Sequence, residues 1–240
     1  MIIDFITPDF CASATDCVVV IDVWRSFTTA AYAFASGACD ILITDSVEEA
    51  MSLRVRFPQA VLIGMGKLGG EPATGFDYGN SPANVRIQDW HDLQIILSTP
   101  NGTPGLVKYK NARTLLAGSL VCARATVRYL KQLAPERVSF VCTETGIADQ
   151  ACAAYMTALL RNELIDTDKM LGSIRSAGVE HGQALLACGE LTEDQWKKLE
   201  ADLDCCLELD QFDFAMVAEQ RDGILVMEEI TMPGCKNHES

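Results

Sequence analysis

Acidic, basic and hydroxyl side chains follow an apolar run near the start of the chain. Residues 18–21 are Val-Val-Val-Ile, and Asp22, Arg25, Ser26 and Thr28 come directly after them. An apolar run of this kind is typical of a buried parallel strand, so Asp22 is expected at its carboxyl end, where open α/β sheets place their ligands. Ser26 and Thr28 suit the start of a helix, and the guanidinium of Arg25 matches carboxylate, sulfonate or phosphate. Alternatively, Asp22 could cap that helix and pair with Arg25.

Two further loops are rich in Gly, Asn, Pro and small hydroxyls. Residues 75–82 read Gly-Phe-Asp-Tyr-Gly-Asn-Ser-Pro, and residues 100–103 read Pro-Asn-Gly-Thr. Both come after apolar runs that predict buried strands, and such loops direct backbone N–H groups and helix N-termini towards bound anions. The candidate anion-binding residues are Asn80, Ser81, Asn101, Gly102 and Thr103. Because Asn-Gly and Ser-Pro are common turn dipeptides, ordinary turns are the alternative.

In this order the motifs resemble the 2-phosphosulfolactate phosphatase family of coenzyme M biosynthesis. The similar segments are residues 22–29, the loops 75–82 and 100–103, Cys142 and the downstream Asp-Gln-Ala-Cys-Ala at 149–153. The resemblance covers residues 3–230, nearly the whole chain. It implies a Mg²⁺-dependent phosphatase that acts on a small anionic ester, 2-phosphosulfolactate. Some members of the family accept other phosphorylated 2-hydroxy acids.

The resemblance and the chemistry of phosphate transfer together assign roles to these residues. Asp22, Arg25 and Asp149 are predicted to be catalytic, while Ser26, Thr28 and the loop residues named above are predicted to bind substrate. Water polarised by Mg²⁺ and deprotonated by an aspartate is the expected nucleophile. A covalent phosphoryl group on Asp22 is the alternative, although the Asp-x-Asp pattern that usually marks it is absent.

The expected cofactor is Mg²⁺, which takes oxygen ligands and usually rests on one or two carboxylates. The candidate ligands are Asp22, Asp77, Asp149 and Glu71. Asp149 could instead be a helix N-cap, and Asp77 could stabilise a turn.

One departure from the family lies before residue 75. The family carries a Gly-Glu-Arg triplet there, whereas this chain has Gly64-Met65-Gly66 and no such triplet. Either Glu71 supplies the acidic ligand, with Lys67 in place of the arginine, or that ligand is absent. Two alternatives therefore stay open: a phosphatase for another phosphorylated 2-hydroxy acid, and a non-catalytic protein that binds small anions.

Charge and composition exclude several classes of partner. The formal net charge of −14 argues against nucleic acids and anionic membranes, because both demand a basic surface. No apolar run approaches the roughly 20 residues of a membrane span. An acid at position 4 and cysteines scattered through apolar stretches favour a reduced, cytoplasmic protein. We expect one domain over residues 1–232 and a polar tail at 233–240; the chain could form homo-oligomers.

Strand and helix patterns alternate, which predicts an α/β fold with three α/β/α layers and a mixed, mostly parallel sheet. Strands are expected at 2–6, 17–23, 40–44, 60–64, 93–98, 114–117, 138–142, 214–220 and 224–229. Helices are expected at 28–36, 47–56, 102–108, 119–133, 149–162, 165–174, 182–186 and 193–203. Residues 18–44 and 95–117 share the order strand, loop, helix, strand, which suggests an internal duplication.

Overall fold

The computed structural model describes residues 1–6, 16–64, 71–144 and 146–231. Within these ranges the strands are β1 (Ile2–Ile6), β2 (Cys17–Ile21), β3 (Asp40–Thr44), β4 (Val61–Gly64), β5 (Gln94–Ser98), β6 (Thr114–Gly118), β7 (Arg137–Cys142), β8 (Phe214–Arg221) and β9 (Ile224–Thr231). The helices are α1 (Ser26–Ala35), α2 (Val47–Arg56), α3 (Pro82–Val85), α4 (Gly102–Lys108), α5 (Ala123–Leu133), α6 (Ile147–Arg161), α7 (Thr167–Ala187) and α8 (Glu193–Cys206), with a 3₁₀ turn at Leu120–Cys122.

The described strands form one mixed sheet in the order β1-β7-β2-β6-β8-β9-β3-β5-β4. Five neighbouring pairs are parallel, and the pairs that involve β8 or β9 are antiparallel. The turn between β8 and β9 has positive φ at both Asp222 (50°) and Gly223 (82°), which matches the twist of a two-residue hairpin. The predicted mixed, mostly parallel sheet is therefore confirmed.

Side chains of β2 alternate between two buried layers. Val18 and Val20 pack in the cluster that contains α1 and α4, whereas Val19 and Ile21 pack in the cluster that contains α5 and α6. Each of these four side chains is fully buried, which stabilises the strand by about 1.5–3 kcal/mol apiece. Helices thus cover both faces of the sheet, and the strand that leads to Asp22 is an internal strand, the third from the β1 edge.

Apart from the edge strand β1, the sheet order has three strands on each side of the β8–β9 hairpin. Helix α1 connects β2 to β3 and α4 connects β5 to β6, while β2 pairs with β6 and β3 with β5. This pattern matches the predicted repeat. In a flat sheet the five steps from β2 to β5 would span about 24 Å. Because Ser26 Oγ, after β2, lies 3.0 Å from Thr99 Oγ1, after β5, the sheet must curl and bring the two loops together.

Helix α7 corrects the sequence prediction. Two helices, 165–174 and 182–186, were expected with a Gly-rich break between them, but one 21-residue helix runs through both. A Cβ at Gly178 would lie 2.8 Å from the ring of Trp24, and one at Gly182 would lie 1.8 Å from the ring of Trp196. The glycines allow α7 to approach two Trp rings, and this packing outweighs their low helix propensity.

Smaller differences concern helix ends. Helix α1 begins two residues before the predicted start, the segment 119–133 divides into the 3₁₀ turn and α5, and α3 was not predicted. The single domain over 1–232 stays a prediction, and the tail 233–240 lies outside the described residues. None of the helices in the described ranges has the length and apolarity that a membrane span requires.

Candidate active site

Asp22 lies directly after β2 and faces the first turn of α1. Its Oδ1 accepts a hydrogen bond from Ser26 N at 3.1 Å, and its Oδ2 accepts one from Ser26 Oγ at 2.6 Å. The carboxylate is buried, at 3% exposure, and each carboxylate oxygen can accept a further interaction besides its bond from Ser26. Asp22 therefore accepts the amide and the hydroxyl of Ser26 at the helix start and can still bind a ligand. Arg25 Nη1 bonds to Asp202, and the charge of Arg25 also acts on the carboxylate of Asp22.

Asp149 lies in the first turn of α6 and is bound to the same strand end. Its Oδ1 accepts a hydrogen bond from Val23 N at 2.9 Å, and Val23 follows Asp22 directly. Its Oδ2 accepts from Thr143 N at 3.1 Å and from Glu144 N at 3.2 Å. The carboxylate thus bonds amides outside its own helix, which differs from the N-cap alternative. These bonds hold Asp149 beside Asp22 at the carboxyl ends of β2 and β7.

The two carboxyl groups perturb each other's proton affinity. Burial raises the pKa of Asp22 to about 6, despite the hydrogen bonds from Ser26, and the charge of Glu144 adds to the rise. Burial and the nearby charge of Asp22 raise the pKa of Asp149 to about 8. The pair titrates as a unit, and the pKa of each carboxyl group is raised. Two buried acids that repel each other are the arrangement that a cation stabilises.

Glu144 joins this pair and was not predicted from the sequence. It follows β7, is exposed, and accepts a 2.6 Å hydrogen bond from Asn101 Nδ2 at the start of α4. The predicted anion-binding residue Asn101 therefore lies beside the carboxylates. Glu144 and Asn101 connect the loop after β7 with the loop after β5.

Arg25 is buried and bonds to an aspartate far away in the sequence. Its Nη1 lies 2.6 Å from Oδ2 of Asp202, on α8, and both side chains are at most 5% exposed. Asp202 Oδ1 also accepts hydrogen bonds from Ser81 Oγ at 2.6 Å and from Ala83 N at 3.2 Å. Asp202 thus ties α1, α3 and α8 together behind the predicted site.

Asn80, another predicted site residue, is next to this cluster. The side chain is 3% exposed, and among the described residues its Oδ1 has no hydrogen-bond partner. A buried acceptor without a donor is costly, so this amide is suited to a ligand.

Gly102 and Thr103 begin α4, at the place where the loop after β5 meets the loop after β2. A Cβ at Gly102 would lie 2.6 Å from Asp22 Oδ2 and 2.7 Å from Ser26 Cβ, so only glycine fits there. The hydroxyl of Thr103 accepts from Thr99 N at 2.9 Å, and its amide donates to Thr99 Oγ1 at 3.2 Å. The structure therefore brings Gly102 to the carboxylates, whereas the polar atoms of Thr103 bond within the loop.

Two other predicted site residues, Thr28 and Asp77, are placed differently. Thr28 is fully buried; its hydroxyl donates to Val23 O at 2.8 Å and lies 2.6 Å from Ser119 Oγ. Asp77 lies along the β4 edge, where its Oδ2 accepts from Arg54 Nη1 at 2.6 Å and from Leu62 N at 2.9 Å. Burial opposes the effect, but the hydrogen bonds from Arg54 and Leu62 lower the pKa of Asp77. Arg54, on α2, therefore neutralises the charge of Asp77 at the β4 edge of the sheet.

The acidic ligand before residue 75 has no structural support. Glu71 is exposed, and Lys67 lies outside the described residues. The described ranges contain no group of three or more His, Cys, Asp and Glu side chains that could hold a metal ion. A metal ion here would rest on the two carboxylates of Asp22 and Asp149.

A cavity of about 340 Å³ opens beside Glu144 and Arg25. Its floor is the start of α6, and α7 and α8 form its walls. The apolar lining residues are Trp24, Ile147, Ile174, Leu185, Trp196 and Leu199. Arg25, Glu144 and His181 are the charged or titratable side chains in its described lining, which includes neither Asp22 nor Asp149.

Comparison with known proteins identifies the family. The model for the family described as 2-phosphosulpholactate phosphatase matches residues 6–221. The chain belongs to this family. A protein of Carboxydothermus hydrogenoformans is 35% identical over 226 residues, which cover 88% of this chain and 90% of that protein. A protein of Synechocystis sp. is 36% identical over 165 residues, which cover 67% and 68%. Both are named "Probable 2-phosphosulfolactate phosphatase".

The family assignment confirms the predicted resemblance and the predicted enzyme class. The family and the names of these relatives indicate a phosphatase, that is, a phosphoric monoester hydrolase. The phosphate ester on which such an enzyme acts is a small molecule, in agreement with the expected kind of partner.

Sequence reasoning missed Asp202, Glu144 and Thr99. Asp202 lies on the buried face of α8, three residues after Leu199 and four before Cys206. A carboxylate at helical spacing from apolar residues was the sequence signal that could have identified Asp202 as a buried, paired acid. Glu144 and Thr99 each follow a predicted strand within two residues, and the carboxyl edge of the sheet was the place to look for them.

Proposed function

We propose that this chain is a Mg²⁺-dependent phosphatase that hydrolyses 2-phosphosulfolactate or another phosphorylated 2-hydroxy acid. The observation that carries the proposal is the pair Asp22 and Asp149, two buried carboxyl groups held side by side at the carboxyl edge of the sheet. Transfer of a phosphoryl group needs positioned positive charge more than it needs a strong nucleophile. A carboxylate pair that repels itself supports the presence of a cation in that place.

The donor set fits Mg²⁺. This ion rests on one or two carboxylates and keeps several waters. Asp22 would be the main ligand because each of its oxygens has a lone pair left, whereas Oδ2 of Asp149 already accepts two backbone hydrogen bonds. Oδ1 of Asp149 would complete the protein part of the shell. When bound, Mg²⁺ supplies charge neutralisation for the phosphate and acidifies a coordinated water.

The protein groups around the pair hold the reactants and protons. Ser26 fixes the carboxylate of Asp22 through its amide and hydroxyl, so that the lone pairs face the loop after β5. Burial and the charge of Asp22 raise the pKa of Asp149 to about 8, and a cation bound at the pair would favour the ionised form of this carboxyl group. Asn101 and the backbone of Gly102 lie where the phosphate oxygens would approach Asp22.

Phosphate release tests the proposal. We would measure it with 2-phosphosulfolactate, 2-phospholactate and phosphoglycolate, each with Mg²⁺ and with EDTA. Release that requires Mg²⁺ and disappears in Asp22→Asn is expected. If no ester is hydrolysed although Mg²⁺ raises the melting temperature, the chain binds the cation without catalysis, and the proposal fails.

The cytoplasmic location and a homo-oligomeric state stay predictions. Fractionation of the cells that make the protein tests the first, and sedimentation of the purified protein tests the second.

A further inference from the structure

Asp202 is a buried carboxylate on α8 that accepts hydrogen bonds from two segments of the candidate site. Its Oδ2 lies 2.6 Å from Arg25 Nη1. Its Oδ1 accepts from Ser81 Oγ at 2.6 Å and from Ala83 N at 3.2 Å. Each carboxylate oxygen therefore serves one segment: Oδ2 holds the side chain of Arg25, and Oδ1 holds the start of α3.

Stability alone is a weak explanation for a buried pair of charges. Both side chains are at most 5% exposed, so the loss of hydration offsets much of the attraction between them. Apolar side chains of similar volume are often as stabilising as a buried ion pair. The other buried residues of α8 are apolar: Trp196, Leu199, Leu203, Cys205 and Cys206. What Asp202 provides, and an apolar residue would not, is a fixed direction for the guanidinium of Arg25.

Arg25 belongs to the tight turn that connects Asp22 with α1. Ser26 N donates to Asp22 Oδ1 at 3.1 Å, Phe27 N donates to Asp22 O at 3.2 Å, and the charge of Arg25 acts on the Asp22 carboxylate. The proposed phosphate position lies where Gly102 approaches Asp22. The side chain of Arg25 is directed instead towards α8 and α3. An anion with two charged groups would thus place its second group at Arg25.

Two buried polar atoms indicate a ligand near the residues that Asp202 holds. Asn80 precedes Ser81, is 3% exposed, and its Oδ1 has no hydrogen-bond partner among the described residues. Thr29 is one helical turn after Arg25 and is fully buried, and within the described ranges its hydroxyl has no partner either. Since buried polar groups are normally hydrogen-bonded, these two atoms are consistent with a polar ligand at this place.

Resting on the proposed phosphatase function, we propose that Asp202 is a positioning residue that directs Arg25 to bind the carboxylate of the phosphorylated 2-hydroxy acid. A guanidinium carries five N–H donors in a rigid planar fork, so the bond from Nη1 to Asp202 fixes the plane and direction of the whole group. The carboxylate is common to every ester of the proposed substrate class. Asp202 acts through Arg25 and touches no substrate atom itself.

Asp202→Asn releases Arg25 selectively. The remaining amide oxygen can accept from Ser81 and Ala83, whereas the new NH₂ group faces the guanidinium, which is also a donor. We expect kcat/KM for 2-phospholactate with Mg²⁺ to fall about tenfold or more, mainly through KM. The control is Asp204→Asn on the same helix, whose carboxylate pairs with the exposed Arg175 and which should change neither parameter.

A double-mutant cycle separates positioning from a merely structural role. In an Arg25→Gln background, Asp202→Asn should change kcat/KM less than about twofold, because its effect passes through Arg25. Equal losses in the two backgrounds would overturn the proposal. Melting temperatures show which variants are folded. If Asp202→Asn does not fold, Asp202→Glu takes its place in the cycle with the same expectation, since it keeps the charge and moves it by one methylene.

Equilibrium binding distinguishes a failure of this proposal from a failure of the proposed function. Calorimetry measures the dissociation constants of lactate and of lactamide, its neutral analogue, with no catalysis involved. Asp202→Asn should weaken lactate binding about tenfold and leave lactamide binding unchanged. That result supports the positioning role even if no ester is hydrolysed and the phosphatase proposal fails. Equal effects on both ligands, or none on lactate, overturn the positioning role even if phosphate is released.

Discussion

The loops after β2 and β5 use the same local structure with different chemistry. In the first, Asp22 accepts the amide of Ser26 at 3.1 Å; in the second, Thr99 accepts the amide of Thr103 at 3.2 Å. Both pairs are four residues apart at the start of a helix, and both follow a strand that leads into the same junction. A hydroxyl is therefore sufficient to satisfy the amide at this place in the fold.

The difference shows that the charge of Asp22 is not required by the loop. A neutral acceptor closes the second loop, whereas the first keeps a buried carboxylate beside a second one, Asp149, at a cost in desolvation. A third carboxylate, Asp77 at the β4 edge, is paired with Arg54. Of these three carboxylates, Asp77 has an arginine partner, whereas Asp22 and Asp149 keep raised pKa values. This is the expected arrangement for a site that binds a cation.

The largest expected effect comes from removing that charge. Asp22→Asn keeps the size of the side chain and an acceptor for Ser26 N, so the fold should persist while turnover falls about 10²- to 10³-fold. The matched control is Thr99→Ser in the second loop, which retains the hydroxyl and should keep activity within a few-fold. Phosphate release under saturating Mg²⁺ measures both. Near-normal turnover in Asp22→Asn would remove Asp22 from the catalytic machinery.

The second-largest expected effect comes from breaking the buried ion pair between Arg25 and Asp202, which lies behind the loop after β2. Asp202→Ala would leave Arg25 buried without its carboxylate, and losing one partner of such a pair costs about 3–5 kcal/mol of unfolding free energy. The control is Asp204→Ala on the same helix, because the Arg175–Asp204 pair is exposed and is worth at most about 1 kcal/mol. Urea unfolding measures both variants. Similar losses for the two would mean that Asp202 is dispensable to the fold.

A third change tests the contact between the loops. The Cβ added by Gly102→Ala would lie 2.6 Å from Asp22 Oδ2, so the loop after β5 must move away from the carboxylate. A shift of this kind should lower kcat/KM about 10- to 100-fold. Gly172→Ala on α7 has no atom within 4 Å of the new Cβ and serves as the control. If both variants are equally active, close contact between Gly102 and Asp22 is not needed for catalysis.

The positions of the strands followed from physics that is visible in the sequence. Strands β2, β3 and β5 are apolar runs bounded by turn residues, and their predicted positions agree with the structure to within two residues at each end. The polar side chains after β2 and β5 were predicted to follow buried strands, and they do; Ser26 Oγ and Thr99 Oγ1 lie 3.0 Å apart. These features depend on local patterns, which a sequence displays directly.

The features that were missed depend on contacts between distant residues. The pairing of Arg25 with Asp202 joins positions 177 residues apart, and a helical pattern alone does not say which buried acid meets which base. The glycines of α7 were taken to interrupt the helix because the Trp rings that require them lie on other elements. Asp77 was grouped with Asp22 through the family resemblance, whereas its position beside Arg54 is set by the packing of α2 on β4.

The smallest expected effect is a pH dependence of stability that separates the carboxylate pair from Asp77. The folded pKa values of about 6 for Asp22 and about 8 for Asp149 lie above the unfolded value of 3.8, so the folded state binds more protons between about pH 4 and pH 8. Stability should then fall as pH rises through this window in EDTA, by a few degrees in melting temperature, and Mg²⁺ should restore more of it at pH 8 than at pH 6.

Asp149→Asn should flatten this slope, because it removes the group with the higher pKa and the repulsion that raises both. Asp77→Asn should leave the slope from pH 6 to 8 unchanged, since the pKa of Asp77 is lowered and its contribution is lost only as the pH falls into the acid range. Scanning calorimetry at several pH values, with and without Mg²⁺, measures all three proteins. A slope that persists in Asp149→Asn would place the titrating group elsewhere, and the carboxylate pair would then no longer distinguish the first loop from the second.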